Sequence, residues 1–303
     1  MPTKIALLNG RLYDPKQKTF EKTNILLINN KISGIGYLPD DDDSTQIDIN
    51  NYYIFPNIFI PIIKTELQNN SPNPNTLLSL KHSGITGSGI ISSETNKCYG
   101  QKITTFLTQN QTEGLNLLPL HTSTPNSPQM IGLWVTHTTP TTSIETTNKF
   151  NKVLVSALPY QAVTPIIQKH PKGIWHIIIG DINDIPLFNT LKQKNNTLSL
   201  SIPANLITKK TINNVLPYIK NQLITTMTSH SNNQESLLKC FPLLETELTI
   251  TDIYNLYAKN TLSLYQLSLK NVAINHTPHL TIFNPKTGAI HSMVLNGKYS
   301  PIK

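Results

Sequence analysis

Arginine is almost absent from this 303-residue chain: Arg11 stands alone. The bidentate phosphate and guanine readers common in nucleic-acid-binding proteins are therefore missing. Charge as a whole is thin. Asp, Glu, Lys and Arg make up 14% of the residues, against roughly 25% in an average soluble domain. The formal net charge of +8 is scattered along the chain, which suits solubility and not a nucleic-acid groove. Two cysteines, Cys98 and Cys240, have no CxxC spacing, so ordinary reduced thiols are expected. Long apolar runs are missing too. The longest, residues 52–63, is interrupted by Pro56, Asn57 and Pro61, and falls short of the roughly 20 residues of a membrane span. The opening residues turn polar too soon for a signal peptide. The expectation is a cytoplasmic protein with no membrane and no nucleic-acid partner.

What fills the gap is uncharged polarity, with 33 Asn and 36 Thr beside a 38% hydrophobic set. Ile and Leu recur throughout, which excludes charge-driven disorder, and the length allows a sizeable core. The first 55 residues read as short strands at 4–9, 24–29, 31–38 and 45–49. Turn chemistry breaks them at Asn9-Gly10, Asp14-Pro15, Asn29-Asn30 and the acidic tip 39–43. The last 25 residues return to this style, with strands at 280–283 and 289–295. The middle alternates. Residues 174–179 are a continuous apolar run broken only by His176, as a strand buried on both faces would be. Asp184 is placed to cap a helix through Lys194, with Pro186 in its first turn. Strands at 197–202 and 223–228 flank a helix opened by Thr211. Helices follow at 235–244, 251–260 and 262–269. Strand–helix–strand order with short loops means βαβ units and a parallel sheet. Residues 107–150, rich in Thr, Ser and Pro, yield little.

Several segments together resemble a known family. Lys4-Ile5-Ala6-Leu7-Leu8-Asn9-Gly10-Arg11-Leu12-Tyr13-Asp14-Pro15 is similar to the opening of dihydroorotases and related cyclic amidohydrolases. Asn24-Ile25-Leu26-Leu27-Ile28 followed by Lys31-Ile32-Ser33-Gly34-Ile35-Gly36 resembles their first hairpin, and Ile47-Asp48 with Tyr53-Ile54-Phe55-Pro56 the approach to their metal site. Near the end, residues 278–285 and Val294-Leu295-Asn296-Gly297-Lys298 resemble the closing strands. The order and spacing of these segments carry the resemblance, which is strongest at both ends and weakest over 95–151. It implies a (β/α)8 TIM-type barrel, shortened, over residues 55–275. Beside it, residues 1–54 and 276–303 would form a small β-sandwich.

The resemblance also implies a divalent metal that activates water and polarises an amide carbonyl. Its ligands should be imidazoles and carboxylates at barrel strand ends. The expected Asp, His and His of the first strand fall on Ile60, Ile62 and Lys64. A third histidine position falls on Ile179. Asn205, in Pro203-Ala204-Asn205-Leu206, stands where a further histidine is expected. Ser229 replaces the general acid/base aspartate, and His230 keeps its place after it. Two apolar groups cannot ligate a cation and an ammonium repels it. The site therefore reads as lost, with no catalytic residue, no metal ligand and no cofactor expected.

Other constellations are weaker. His276-Thr277-Pro278-His279 has HxxH spacing, but the proline forbids one helical face, and a surface loop is expected. Ser229 and His230 are adjacent on a strand and point to opposite faces, so they make no dyad. The glycines of residues 83–89 lack a phosphate-loop ending and serve a tight turn. His82, His170, His176 and His291 have no partner at ligand spacing. The sequence thus implies a non-catalytic dihydroorotase-like protein. By resemblance, such proteins serve as structural subunits with aspartate carbamoyltransferase in pyrimidine biosynthesis, as homo- or hetero-oligomers. Two readings compete with it. One is an active dihydroorotase whose zinc site lies elsewhere in the sequence, and the other is a decaying gene product.

Overall fold

The computed structural model describes residues 4–36, 43–65, 67–68, 71–72, 74–92, 116–119, 132–137, 139, 141–194, 197–228, 236–267 and 272–302. The amino-terminal strands are β1 (Lys4–Asp14), β2 (Thr19–Ile28), β3 (Lys31–Ile35), β4 (Thr45–Asp48) and β5 (Tyr53–Pro56). β1 pairs antiparallel with β2 and parallel with both β4 and β5. Asn9-Gly10 does not end β1, contrary to its turn-like sequence. Asn9 takes a left-handed φ of 63° and the register shifts between Leu7 and Gly10. The dipeptide is a bulge inside one long strand. Asn24 Oδ1 accepts from the Asn9 N–H at 2.8 Å. A Cβ on Gly10 would lie 2.6 Å from Ile49 and 2.8 Å from Ile54, which explains the glycine.

A parallel arc follows. β6 (Phe59–Thr65) pairs with β9 (Gly87–Ser92), and β9 with β10 (Asn116–Pro119). Between them lie a small hairpin, β7 (Leu67–Gln68) with β8 (Ser71–Pro72), and helix α1 (Pro74–His82). Gly84, at φ 76°, makes the tight turn after α1. A Cβ there would meet Ile290 and Thr281 at 2.6 and 2.9 Å, and the Thr281 hydroxyl donates to the Gly84 carbonyl.

A second arc holds five parallel strands: β11 (Gly132–Trp134), β12 (Val153–Ser156), β13 (Ile174–Ile178), β14 (Leu198–Pro203) and β15 (Ile224–Thr228). Helices α2 (Thr141–Lys149), α3 (Tyr160–Lys169), α4 (Ile185–Lys194) and α5 (Ile212–Lys220) alternate with them. The α4 end is capped one turn earlier than its sequence suggests. Asp181, not Asp184, accepts from the Asn183 N–H and opens a 3-10 turn over Ile182–Asp184. After β15, a 3-10 turn (Leu237–Cys240) leads into α6 (Phe241–Glu245). Then α7 (Ile250–Tyr254), a π-turn (Asn255–Lys259) and α8 (Asn260–Leu264) run on without a break. The helices expected at 251–260 and 262–269 are thus one helix with a π-turn from Ile250 to Leu264, and residues 268–269 lie outside the described residues.

Side-chain alternation gives the parallel strands two faces. Leu154, Trp175, Ile177, Leu198, Leu200 and Ile202 belong to a large core that includes Val163 and Ile167 of α3, Phe188 of α4 and Val215 of α5. The alternate residues Phe59, Val153 and Val155 pack with Leu262 and Tyr265. β15 lies beside β6, with no shared ladder among the described residues. The last helix crosses this seam. Asn260 Nδ2 donates to the Thr225 carbonyl of β15 at 2.7 Å, and the Tyr265 hydroxyl donates to the Pro61 carbonyl of β6.

The chain then rejoins its beginning. β16 (Leu280–Phe283) pairs antiparallel with β5, and β17 (Ile290–Leu295) and β18 (Lys298–Pro301) complete an eight-stranded sheet, curled around Leu7, Ile25, Ile32, Ile54, Ile282 and Val294. An aromatic cluster ties this sheet to the helices. Phe55 lies 5.2 Å from Phe283, Phe241 5.0 Å from Phe283, and Tyr13 4.5 Å from Tyr254. The HxxH pair divides across this junction. His276 is exposed, whereas His279 is buried and accepts on Nδ1 from the Asn296 N–H. The expectation of a surface loop therefore fails at His279, which the paired strands cover. Among the described residues, no helix is long and apolar enough to cross a membrane.

Candidate functional site

The described positions that the sequence singles out lie on or just after parallel strands, Ile60 near the amino end of β6 and Ile179 and Asn205 past the carboxyl ends of β13 and β14. Ile60, Ile62 and Lys64 are on β6. Ile60 is fully buried in the core shared with the helices. Ile179 follows β13, is 2% exposed, joins the same core, and donates its N–H to the Ser201 carbonyl. Asn205 lies in a 3-10 turn (Ala204–Leu206) after β14 and is exposed. Ser229 and His230 lie outside the described residues; Thr228, the buried residue before them, ends β15. Among the described residues, no three His, Cys, Asp or Glu side chains gather closely enough to hold a metal ion. A divalent ion needs several imidazole or carboxylate donors. The apolar side chains of Ile60 and Ile179, both buried in the helix-packed core, supply none, so these positions do not fit one.

The polar constellation that does form was not legible in the sequence. It occupies the strand face away from α3–α5, across β13, β14 and β15. His176 is 0% exposed. Its Nδ1 lies 2.8 Å from Ser199 Oγ, its register partner on β14, and its Nε2 lies 3.0 Å from Thr226 Oγ1 on β15. Burial favours the neutral ring and pushes its pKa down to about 3. The three residues lie 23 and 50 positions apart in sequence, so no local spacing announces them. Ser199 is half-buried and opens onto a cleft of about 500 Å³ between the amino ends of β14 and β15 and the last helix. This cleft is at the opposite strand end from Ile179 and Asn205.

Cys240 behaves as the sequence suggests for an ordinary thiol. It is buried against the Tyr257 hydroxyl at 3.3 Å, and desolvation pushes its pKa up to about 11. Cys98 lies outside the described residues.

No protein-family model matches the chain, and no curated protein matches it either. Solved structures do. A dihydroorotase superposes with a TM-score of 0.72 at 12% identity, covering 99% of this chain and 98% of its own. The dihydropyrimidinase of Brevibacillus agri NCHU1002 gives 0.68 at 9% identity, with 98% and 95% covered. The β-aspartyl dipeptidase of Fervidobacterium islandicum AW-1 gives 0.67 at 12% identity, with 98% and 96% covered. The fold of these three proteins is therefore shared over essentially the whole chain. At these identities the likeness concerns the fold and leaves the chemistry to be argued from the site.

Proposed function

We propose that this chain is a non-catalytic dihydroorotase-like protein, a structural partner subunit for aspartate carbamoyltransferase in cytoplasmic pyrimidine biosynthesis. The observation that carries the reading is the chemistry at the strand ends. Ile60 and Ile179 are packed into the core, and Ile62, Lys64, Asn205 and Ser229 supply no imidazole or carboxylate. The motif resemblance at both chain ends and the shared fold favour a dihydroorotase ancestry. In this reading, residues 55–275 form a (β/α)8 barrel that closes across the β10–β11 and β15–β6 seams. Residues 1–54 and 276–303 form the sandwich domain that both termini share.

The decisive measurement is metal content together with turnover on the purified protein. The expected result is less than a tenth of an equivalent of zinc and no hydrolysis of dihydroorotate. About one equivalent of zinc with turnover would restore the enzyme reading. Co-expression with an aspartate carbamoyltransferase tests the partnership. A stoichiometric complex on size-exclusion light scattering is expected, and a clean monomer beside unbound transferase counts against it.

A further inference from the structure

We propose that the amino-terminal rim of the second arc, where helices return to β12, β13 and β14, is a basic docking face for an acidic surface of another protein. Each of these returns carries two lysines. Lys149 and Lys152 lie between α2 and β12, Lys169 and Lys172 between α3 and β13, and Lys192 and Lys194 at the end of α4 before β14. Lys220, ending α5, extends the row to β15. No carboxylate stands in any of the four returns, residues 149–152, 169–173, 192–197 and 220–223. The parallel register keeps the strand starts level, with Val153 opposite Ile174, Trp175 opposite Leu198 and Leu200 opposite Ile224. Neighbouring strands lie about 4.8 Å apart. Positive charge that is scattered in the sequence is thus gathered on one rim. Lys149, Lys169, Lys172 and Lys194 are exposed, and Lys152 and Lys192 are half-buried. Lys169 and Lys192 reach neutral partners, the Thr141 hydroxyl and the Gln222 carbonyl, so their charge is not cancelled. The opposite rim is balanced, with Asp181 and Asp184 after β13 and Lys209 and Lys210 after β14.

The helix macrodipole accounts for a cation in the last turn of a helix, as at Lys149, Lys169 and Lys220. It does not account for Lys152 and Lys172, which lie beyond the helix ends. Two carboxylates border the rim: Glu145 of α2, within electrostatic reach of His170, and Asp252, which lines the cleft with Lys220. Three features favour a protein over other polyanions. The cations are all lysines, point charges without the forked donors that read phosphate bidentately. They stand on separate loops, whereas single-stranded nucleic acid is held in grooves floored by stacking aromatic rings. Phe150, 55% exposed, stands between Lys149 and Lys152. An aromatic ring with a charged surround suits a protein contact, and it offers a bilayer far less apolar area than an amphipathic helix does. Lysines so placed steer an acidic partner and fix its orientation. The rim involves none of Ile60, Ile179 and Asn205, so the idea stands or falls separately from the scaffold reading.

The test is fluorescence anisotropy of a labelled glutamate-rich peptide with the purified full-length protein. Binding should weaken as salt is raised. Lys152→Glu with Lys172→Glu should weaken it about tenfold, at unchanged circular dichroism. The control is Lys209→Glu with Lys210→Glu, which changes the net charge equally on the opposite rim and should leave the affinity within about twofold. An equal loss in both double variants would mean that net charge alone is at work, and it overturns the proposal. So does a peptide that fails to bind at low salt. Duplex DNA and vesicles of phosphatidylserine in phosphatidylcholine are measured at the same salt. Tighter binding of either than of the peptide, lost in the Lys152→Glu, Lys172→Glu variant, would assign the rim to a phosphate-bearing partner and sink the proposal.

Discussion

At the scale of the residue, His176 has consequences that go beyond its place in the hydroxyl network. It is buried in the folded chain and stays neutral down to about pH 3, whereas in the unfolded chain it titrates near 6.5. Below 6.5 the unfolded state binds a proton that the folded state refuses. His176 therefore contributes stability that is present above about pH 6.5 and is lost progressively as the pH falls toward 3. Replacing it with Asn removes that dependence. His176→Asn should cost roughly 1–3 kcal/mol near pH 7, because Ser199 and Thr226 lose a well-placed partner. The gap to the unmutated protein should then narrow as the pH is lowered to 4, read as urea midpoints at each pH. A constant gap would mean that the ring is not shielded as the structure has it. Gly84 makes a second residue-scale point. Its φ of 76° and the side chains of Ile290 and Thr281 leave no room for a Cβ. Gly84→Ala should destabilise by about 1–3 kcal/mol and lower the melting temperature accordingly.

At the scale of the element, the last helix carries the most weight. β15 and β6 lie side by side without a ladder among the described residues, and two side chains bridge them. Asn260 reaches β15 and Tyr265 reaches β6, while the Tyr254 hydroxyl donates to the Pro56 carbonyl at 3.1 Å. Tyr265→Phe removes the hydroxyl's hydrogen bond to the buried Pro61 carbonyl, at a cost of about 1–3 kcal/mol. Hydrogen exchange should accelerate first in β6 and β15, and uniform acceleration over the molecule would argue against a local seam. These elements also show what a sequence can and cannot disclose. The apolar runs at 174–178 and 280–283 announce their strands, since burial on both faces leaves a pattern in composition. Asn9-Gly10 reads as a turn because a bulge and a hairpin need the same left-handed residue. Only the contact with Ile49 and Ile54 decides between them. Asp184 and Asp181 are equally good caps in isolation, and the 3-10 turn selects the earlier one. The π-turn has no sequence signature. The His176 network is invisible because its three members meet through strand order, not through spacing. The expected ligand positions are legible because the motif resemblance around Pro56 says where that family's ligands would fall.

At the scale of the whole molecule, two questions meet: how the chain holds together, and what imidazoles placed at the expected ligand positions would do. Both ends enter one curled sheet, with β16 paired to β5 and the Phe55–Phe283–Phe241 aromatic contacts joining it to the helical layer. That arrangement ties both chain ends and the helical layer together through contacts among the protein's own side chains. An excess of Lys and Asn over Arg is a chain-wide bias, whereas Ile60 and Ile179 are single positions buried in the core. Reinstalling two imidazoles, by Ile62→His with Lys64→His, removes the repelling ammonium and supplies two donors. Zinc at a catalytic site needs three protein ligands and an open position for water, and Ile60 and Ile179 still contribute none. The double variant is expected to bind zinc weakly, above micromolar Kd in competition with a chromogenic chelator, and to show no turnover of dihydroorotate. Measurable turnover would mean that further ligands reach this strand from residues outside those described, and it would overturn the non-catalytic reading.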